Sequence, residues 1–133
     1  MIRPPFLKQG DTVGITCPAR FITAEEIQLA TDTLKSWGLN VLLGDTLGKK
    51  DNQYGGTDAE RRADFQRMLN NPDVKAIIAA RGGYGTVRIM DDLDFRAFLR
   101  EGCDAENLLA TGDAMAQRVV EHARNQSSQR EQG

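Results

Sequence analysis

Val74-Lys-Ala-Ile-Ile-Ala-Ala80 runs directly into Arg81-Gly-Gly-Tyr-Gly85, and this stretch decides the fold. Val74, Ile77 and Ile78 are β-branched, and Lys75 alone breaks the apolar run, which suits a buried strand of a parallel sheet. The glycines that follow make a tight turn before a new helical stretch. Immediately upstream, Thr57-Asp-Ala-Glu60 has the spacing of a capping box, in which a threonine oxygen and a glutamate reciprocally satisfy orphan amides. A helix is therefore predicted from there to Asn71-Pro72, with Ala59, Ala63, Phe65, Met68 and Leu69 as its apolar stripe.

The same pattern occurs further upstream. Thr12-Val-Gly-Ile-Thr16 reads as a short buried strand closed by Pro18, and Thr23-Ala-Glu-Glu26 is a second capping box. In the helix it opens, Ile27, Ala30, Leu34 and Trp37 recur at steps of three and four and are expected on the packed face, with Gly38 as the left-handed stop. Leu39 to Leu43 reads as another strand. The stretch Gly44 to Gly56, with four glycines, two lysines and Asn52, reads as a long exposed loop. Strand, helix, strand, helix, strand with short connections predicts an α/β layer of parallel β-α-β units with flanking helices. In such sheets, sites form at the carboxyl ends of the strands, which places the glycine turn after Ala80 near the loop after the first strand.

Composition narrows the function classes. The chain has 133 residues, the size of one domain, with 40% hydrophobic and 27% charged residues and a formal net charge of −2. That balance gives no footprint for nucleic acid or an anionic membrane. No stretch reaches the about 18 apolar residues of a membrane span, and Met1 to Gly10 lacks the apolar run of a signal peptide, so a cytoplasmic protein is expected. Cys17, Cys103 and His122 have no metal-ligand spacing, and the cysteines are expected as buried free thiols; no metal or cofactor is expected.

The glycine turn admits several readings. Glycines after a buried strand let backbone amides approach a ligand, which makes the turn a candidate anion or oxyanion site. A dinucleotide fingerprint counted from Gly83 would place Arg88 where a small residue must pack, and no Gly-Lys-Ser/Thr ending exists for a phosphate loop. The purely geometric reading stays open: glycine needed for the turn alone, with Arg81 and Arg88 solvated or ion-paired.

Several motifs occur in one order: Arg3-Pro-Pro, Lys8-Gln-Gly-Asp11, Cys17-Pro-Ala19, Ala80-Arg-Gly-Gly-Tyr-Gly85 with Arg88, and Leu93-Asp-Phe95. Over residues 1–100 the chain thereby resembles the amino-terminal half of serine-type L,D-carboxypeptidases, the family of muramoyltetrapeptide carboxypeptidases and microcin C immunity peptidases. The resemblance implies a flavodoxin-like or Rossmann-like domain, here a single truncated one, of a cytoplasmic hydrolase without cofactor whose members dimerise, with this chain's own oligomeric state left open, and a muropeptide or other small peptide as ligand. The family reaction releases a terminal D-amino acid such as D-alanine in murein recycling. It further implies that Gly82 or Gly83 supplies an oxyanion-hole amide and that Tyr84 and Gly85 shape the adjacent wall.

The family's Ser-Glu-His triad does not carry over. Where the resemblance calls for a Gly-x-Ser-Asp turn, the chain reads Glu101-Gly-Cys-Asp-Ala-Glu-Asn-Leu-Leu-Ala-Thr-Gly-Asp113, with Gly112 at the serine position. Thr111 and Cys103 are the nucleophile-capable side chains nearby, and neither has a base and orienting acid placed by a matched motif. His122 sits at the edge of an apolar helical face with Ala105, Leu108, Leu109, Met115, Val119 and Ala123. Residues 101–124 are thus expected as an atypical helical extension, residues 125–133 as a disordered polar tail, and the chain as inactive by itself. A non-catalytic peptide-binding module and a decayed fragment are the alternatives.

Overall fold

A computed structural model of the chain describes residues 5–96 together with 120, 121, 124, 125 and 128. Two compact units are present, Leu7–Leu93 on the one hand and Met1–Phe6 with Asp94–Gly133 on the other. The larger unit carries three parallel strands, β1 (Thr12–Thr16), β2 (Asn40–Leu43) and β3 (Val74–Ala79), in the order β2-β1-β3. Helix α1 (Ala24–Ser36) links β1 to β2, α2 (Asp58–Asn70) links β2 to β3, and a turn of 3-10 helix at Tyr84–Thr86 leads into the short α3 (Val87–Met90). The α/β layer of parallel strands expected from the sequence is present.

Both long helices start where their capping boxes place them. The Thr23 hydroxyl accepts from the Glu26 amide at 3.2 Å while the Thr23 amide donates to Glu26 Oε2 at 2.9 Å, and Thr57 and Glu60 repeat the exchange. Side chains alternate across β1, and the alternation sorts the helices. Val13, Ile15 and Cys17 cluster with Ile22, Ile27, Leu34 and Leu39, the α1 side. Gly14 and Thr16 face α2: a Cβ on Gly14 would stand 2.7 Å from the Met68 sulfur, and the Thr16 hydroxyl donates to Asp64 at 2.7 Å. Burying Val13 and Ile15 fully is worth about 1.5–3 kcal/mol each, so β1 is the energetic centre of this unit.

Four expectations are corrected. The packed face of α1 is Ile27, Thr31 and Leu34; Ala30 is exposed, and Trp37 is 63% exposed because the helix ends at Ser36 and Trp37 is its C-cap, beyond the helical stripe. On α2, Ala59 and Ala63 are exposed, and the buried residues are Arg61, Asp64 and Met68, since this face meets polar backbone at the strand ends as well as the sheet. The loop 44–56 is not exposed throughout, for Gly44, Thr46, Gly55 and Gly56 are buried against the ends of β1 and α2. Strand β3 is also more open than its apolar run predicts, with Ile78 41% exposed.

In the smaller unit, Arg96 donates to the Asp94 carboxylate through its backbone amide at 3.0 Å and through its side chain. Val120, Glu121, Arg124, Asn125 and Ser128 are helical, and the Ser128 hydroxyl donates to the Arg124 carbonyl at 3.2 Å. Cys103, Thr111, Gly112 and His122 lie outside the described residues.

Candidate functional site

Because all three strands run parallel, their carboxyl ends open on one edge, and three segments gather there: Cys17–Arg20 after β1, Gly44–Thr46 after β2 and Ala80–Gly85 after β3. The sheet's last rungs hold them. The Ala80 amide donates to the Thr16 carbonyl at 2.8 Å, and the Gly44 amide to the Ile15 carbonyl at 2.7 Å. The Lys8-Gln-Gly-Asp11 motif sits at the opposite end, where the Lys8 amide donates to Asp11 Oδ2 at 2.8 Å and the Gly10 amide to the Gly38 carbonyl, closing the entry to β1. That motif is structural.

The glycines of the turn differ in what they need. Gly83 has φ +146°, a conformation L side chains rarely adopt, and a Cβ there would meet Ala19 and Arg20 at 3.3–3.4 Å. Gly85 is buried, and a Cβ would stand 2.8 Å from the Tyr54 ring and 3.0 Å from Ala19 Cα. Gly82 has neither constraint: no described atom lies within 4 Å of a Cβ placed on it, and its φ is not positive. Gly82 and Gly83 are both exposed, and among the described residues no acceptor takes either amide. Tyr84 beside them is 91% exposed, and Arg20 and Arg81 lie exposed on the same rim.

Beneath this rim lie two buried charges that the sequence reading did not single out. The Arg61 side chain is fully buried, yet its guanidinium is nearly saturated with acceptors. Nη1 donates to the Pro18 and Gly85 carbonyls, both at 2.7 Å, Nε donates to Gly56 at 3.2 Å, and Nη2 pairs with Asp58. The Tyr54 ring stacks on it at 4.7 Å, which completes the pairing that a buried guanidinium requires. Asp58 also holds Arg88 at 2.8–3.1 Å, and the Arg88 hydrogen bond together with both guanidinium charges lowers the Asp58 pKa. Arg88 is therefore ion-paired, as the geometric reading of the turn had it.

The Asp64 carboxylate ties the ends of β1 and β2 together. It accepts from Thr16 Oγ1 at 2.7 Å, Thr46 Oγ1 at 2.6 Å, the Asp45 and Thr46 amides at 2.9 and 3.2 Å, and Arg67 at 2.9 Å. Thr46 Oγ1 in turn accepts from the Cys17 amide at 2.9 Å. Burial pushes the Asp64 pKa up, but the bonds from Thr46, Thr16, Asp45 and Arg67 outweigh it and hold the carboxyl below its ordinary range. Arg61, Asp64 and Met68 stand at i, i+3 and i+7, a helical stripe that could have been found had charged residues been allowed into a packed face.

Nothing among the described groups at these strand ends is an activated nucleophile. The Cys17 thiol is buried and free, and desolvation pushes its pKa to about 11, so it is protonated at neutral pH. Thr16 and Thr46 spend their protons on Asp64. Among the described residues no group of three His, Cys, Asp or Glu side chains could hold a metal ion, and no helix is long and apolar enough to cross a membrane. The edge is instead a lattice of fixed backbone, with open amides at Gly82 and Gly83.

The family model described as the LD-carboxypeptidase N-terminal domain matches residues 13–105, which take in β1 from its second residue, β2, β3 and the glycine turn. The chain belongs to the LD-carboxypeptidase family. A Bacillus subtilis relative named "Probable murein peptide carboxypeptidase" is 39% identical to this LD-carboxypeptidase chain over 93 residues, which cover 70% of the chain and 29% of the relative. Among solved structures, muramoyltetrapeptide carboxypeptidase from Oxalobacter formigenes matches at 33% identity with a TM-score of 0.60, over 69% of this chain and 31% of that one. MccF, solved in complex with glutamyl sulfamoyl guanosine, matches at 27% identity with a TM-score of 0.66, over 71% of this chain and 29% of its own. This LD-carboxypeptidase family member thus spans less than a third of the length of those proteins.

Proposed function

We propose that this chain forms the strand-end wall of an LD-carboxypeptidase site for muropeptides, with the Gly82 and Gly83 amides receiving the carbonyl oxygen of the bond that joins an L-centre to a terminal D-amino acid. The observation that carries this reading is Gly82. Positive φ accounts for glycine at position 83 and close packing for glycine at position 85, but neither applies at 82, where the absent side chain leaves only an open approach to the backbone. Two neighbouring amides directed at one oxygen are the arrangement that stabilises a developing oxyanion. Matches to a murein peptide carboxypeptidase and to a muramoyltetrapeptide carboxypeptidase supply the substrate class.

On this reading the described residues bind and orient the peptide, and bond breaking requires a nucleophile from outside them, because the Cys17 thiol stays protonated. On the same reading the reaction belongs to the cytoplasm, where the family's muropeptides are recycled. The test adds a muropeptide ending in L-diaminoacyl-D-alanine to the purified chain, follows the backbone amides by NMR and assays free D-alanine by mass spectrometry. Saturable shifts at Gly82 and Gly83 without D-alanine release are expected. Absence of shifts at both amides overturns the site, and release that Thr111 or Cys103 variants abolish overturns the binding-only role.

A further inference from the structure

We infer that Arg61 is the positioning residue of the glycine turn, setting where the Gly82 and Gly83 amides stand relative to the segment after β1. This rests on the reading of those amides given above. Strands β1 and β3 are joined by ladder hydrogen bonds as far as the Ala80 amide and the Thr16 carbonyl. Beyond that rung, no backbone hydrogen bond among the described residues links Cys17–Arg20 to Arg81–Gly85. The link is made by one guanidinium nitrogen, Arg61 Nη1, which donates to Pro18 in the first segment and to Gly85 in the second, each at 2.7 Å. In effect the ladder continues through a side chain carried by α2.

The setting makes that nitrogen a rigid spacer. The same guanidinium is fixed to Gly56 at the foot of α2 through Nε, to Asp58 through Nη2, and beneath the Tyr54 ring. A planar fork with its donors locked in four directions has little freedom to tilt, so the two carbonyls it holds keep a constant separation. Gly85 is also where a Cβ would strike Tyr54 and the Ala19 backbone, so the two loops approach without any side chain between them. Gly83 and Gly82 lie two and three residues from the anchored carbonyl, too close to move independently of it. Arg61 touches no ligand in this arrangement; it acts through the Gly85 carbonyl.

The experiment compares the full chain with Arg61→Lys and Asp58→Asn. Lysine keeps the charge but lacks the fork, and Asp58→Asn weakens the guanidinium's hold at a carboxylate that is 43% exposed. Amide hydrogen exchange is read in the free chain, and affinity is read by titration with the muropeptide above. For Arg61→Lys, exchange at the buried Ala19 and Gly85 amides and at Thr86, whose amide donates to the Gly83 carbonyl, is expected to rise about tenfold or more, with Val13 and Ile15 still protected, and affinity to fall by a similar factor.

Unchanged exchange and affinity in a folded Arg61→Lys chain overturn the inference and leave the proposed site standing. Wild-type chain that does not bind overturns the proposed site, while the exchange comparison still decides the anchoring. Should Arg61→Lys not fold, Asp58→Asn decides: faster exchange at Ala19 and Gly85 supports the role of Arg61, and unchanged exchange refutes it.

Discussion

Replacing Asp64 by asparagine tests a carboxylate that accepts five hydrogen bonds among the described residues, because the change keeps the shape and removes one acceptor oxygen. Oδ2 accepts from Thr16, from the Thr46 hydroxyl and from the Thr46 amide, while Oδ1 accepts from the Asp45 amide and Arg67. If the new NH2 takes the Oδ1 place, the Asp45 amide and Arg67 face a donor. In the Oδ2 place both hydroxyls can turn to accept, but the Thr46 amide loses its partner. At about 1–3 kcal/mol for each buried donor left unmade, plus the weakening of charge-assisted bonds, Asp64→Asn should cost roughly 2–4 kcal/mol. For a chain of this size that is a drop in melting temperature of roughly 8–20 °C.

Urea denaturation followed by circular dichroism, with wild type and variant run in parallel, reads the loss directly. The pH dependence supplies a second reading. Asp64 has a folded pKa below its unfolded value, so its stabilisation is fully present above about pH 4 and is lost as pH falls through the folded pKa. The gap between wild type and Asp64→Asn should therefore narrow below pH 4. A gap under about 0.5 kcal/mol at pH 7, within the range of ordinary surface substitutions, would refute the account of the cluster.

Two further outcomes follow from the same edge. Gly83→Ala should lower stability by about 1–3 kcal/mol, for its φ of +146° and the Ala19 and Arg20 contacts, whereas Gly82→Ala should leave the unfolding midpoint unchanged and still weaken muropeptide binding. Equal loss of stability in the two variants would contradict the distinction drawn between them. Cys17, identified by mass mapping after treatment with a thiol reagent at pH 7.5, should stay unlabelled in the native chain and react in urea, since its pKa of about 11 and its burial leave almost no accessible thiolate. Rapid native labelling at Cys17 would show that the strand ends are more open than described.

Local signals carried most of the fold. Thr23 with Glu26 and Thr57 with Glu60 declare helix starts within four residues, and the apolar runs at Thr12 and Val74 declare strands. The glycine turn was visible too, because strand followed by glycines is a contiguous pattern. What escaped were the residues whose role depends on distant chain. Arg61 is buried because Pro18 and Gly85 present carbonyls to it, and Asp64 because Thr16 and Thr46 present hydroxyls; periodicity of apolar residues cannot register either. The same rule misplaced Trp37, whose step from Leu34 suited the buried stripe although the helix had already ended at Ser36. It also filled the α2 stripe with Ala59 and Ala63, which are exposed.

The uneven demands along Arg81–Gly85 set out which positions can diversify. Positions 83 and 85 are closed to any side chain, one by backbone conformation and one by its neighbours, whereas Arg81, Gly82 and Tyr84 face outward with room around them. A randomised library at 81, 82 and 84 would thus vary the chemistry of the rim while the scaffold stayed intact. Selectivity among ligands could drift at those three sites at little cost in foldedness.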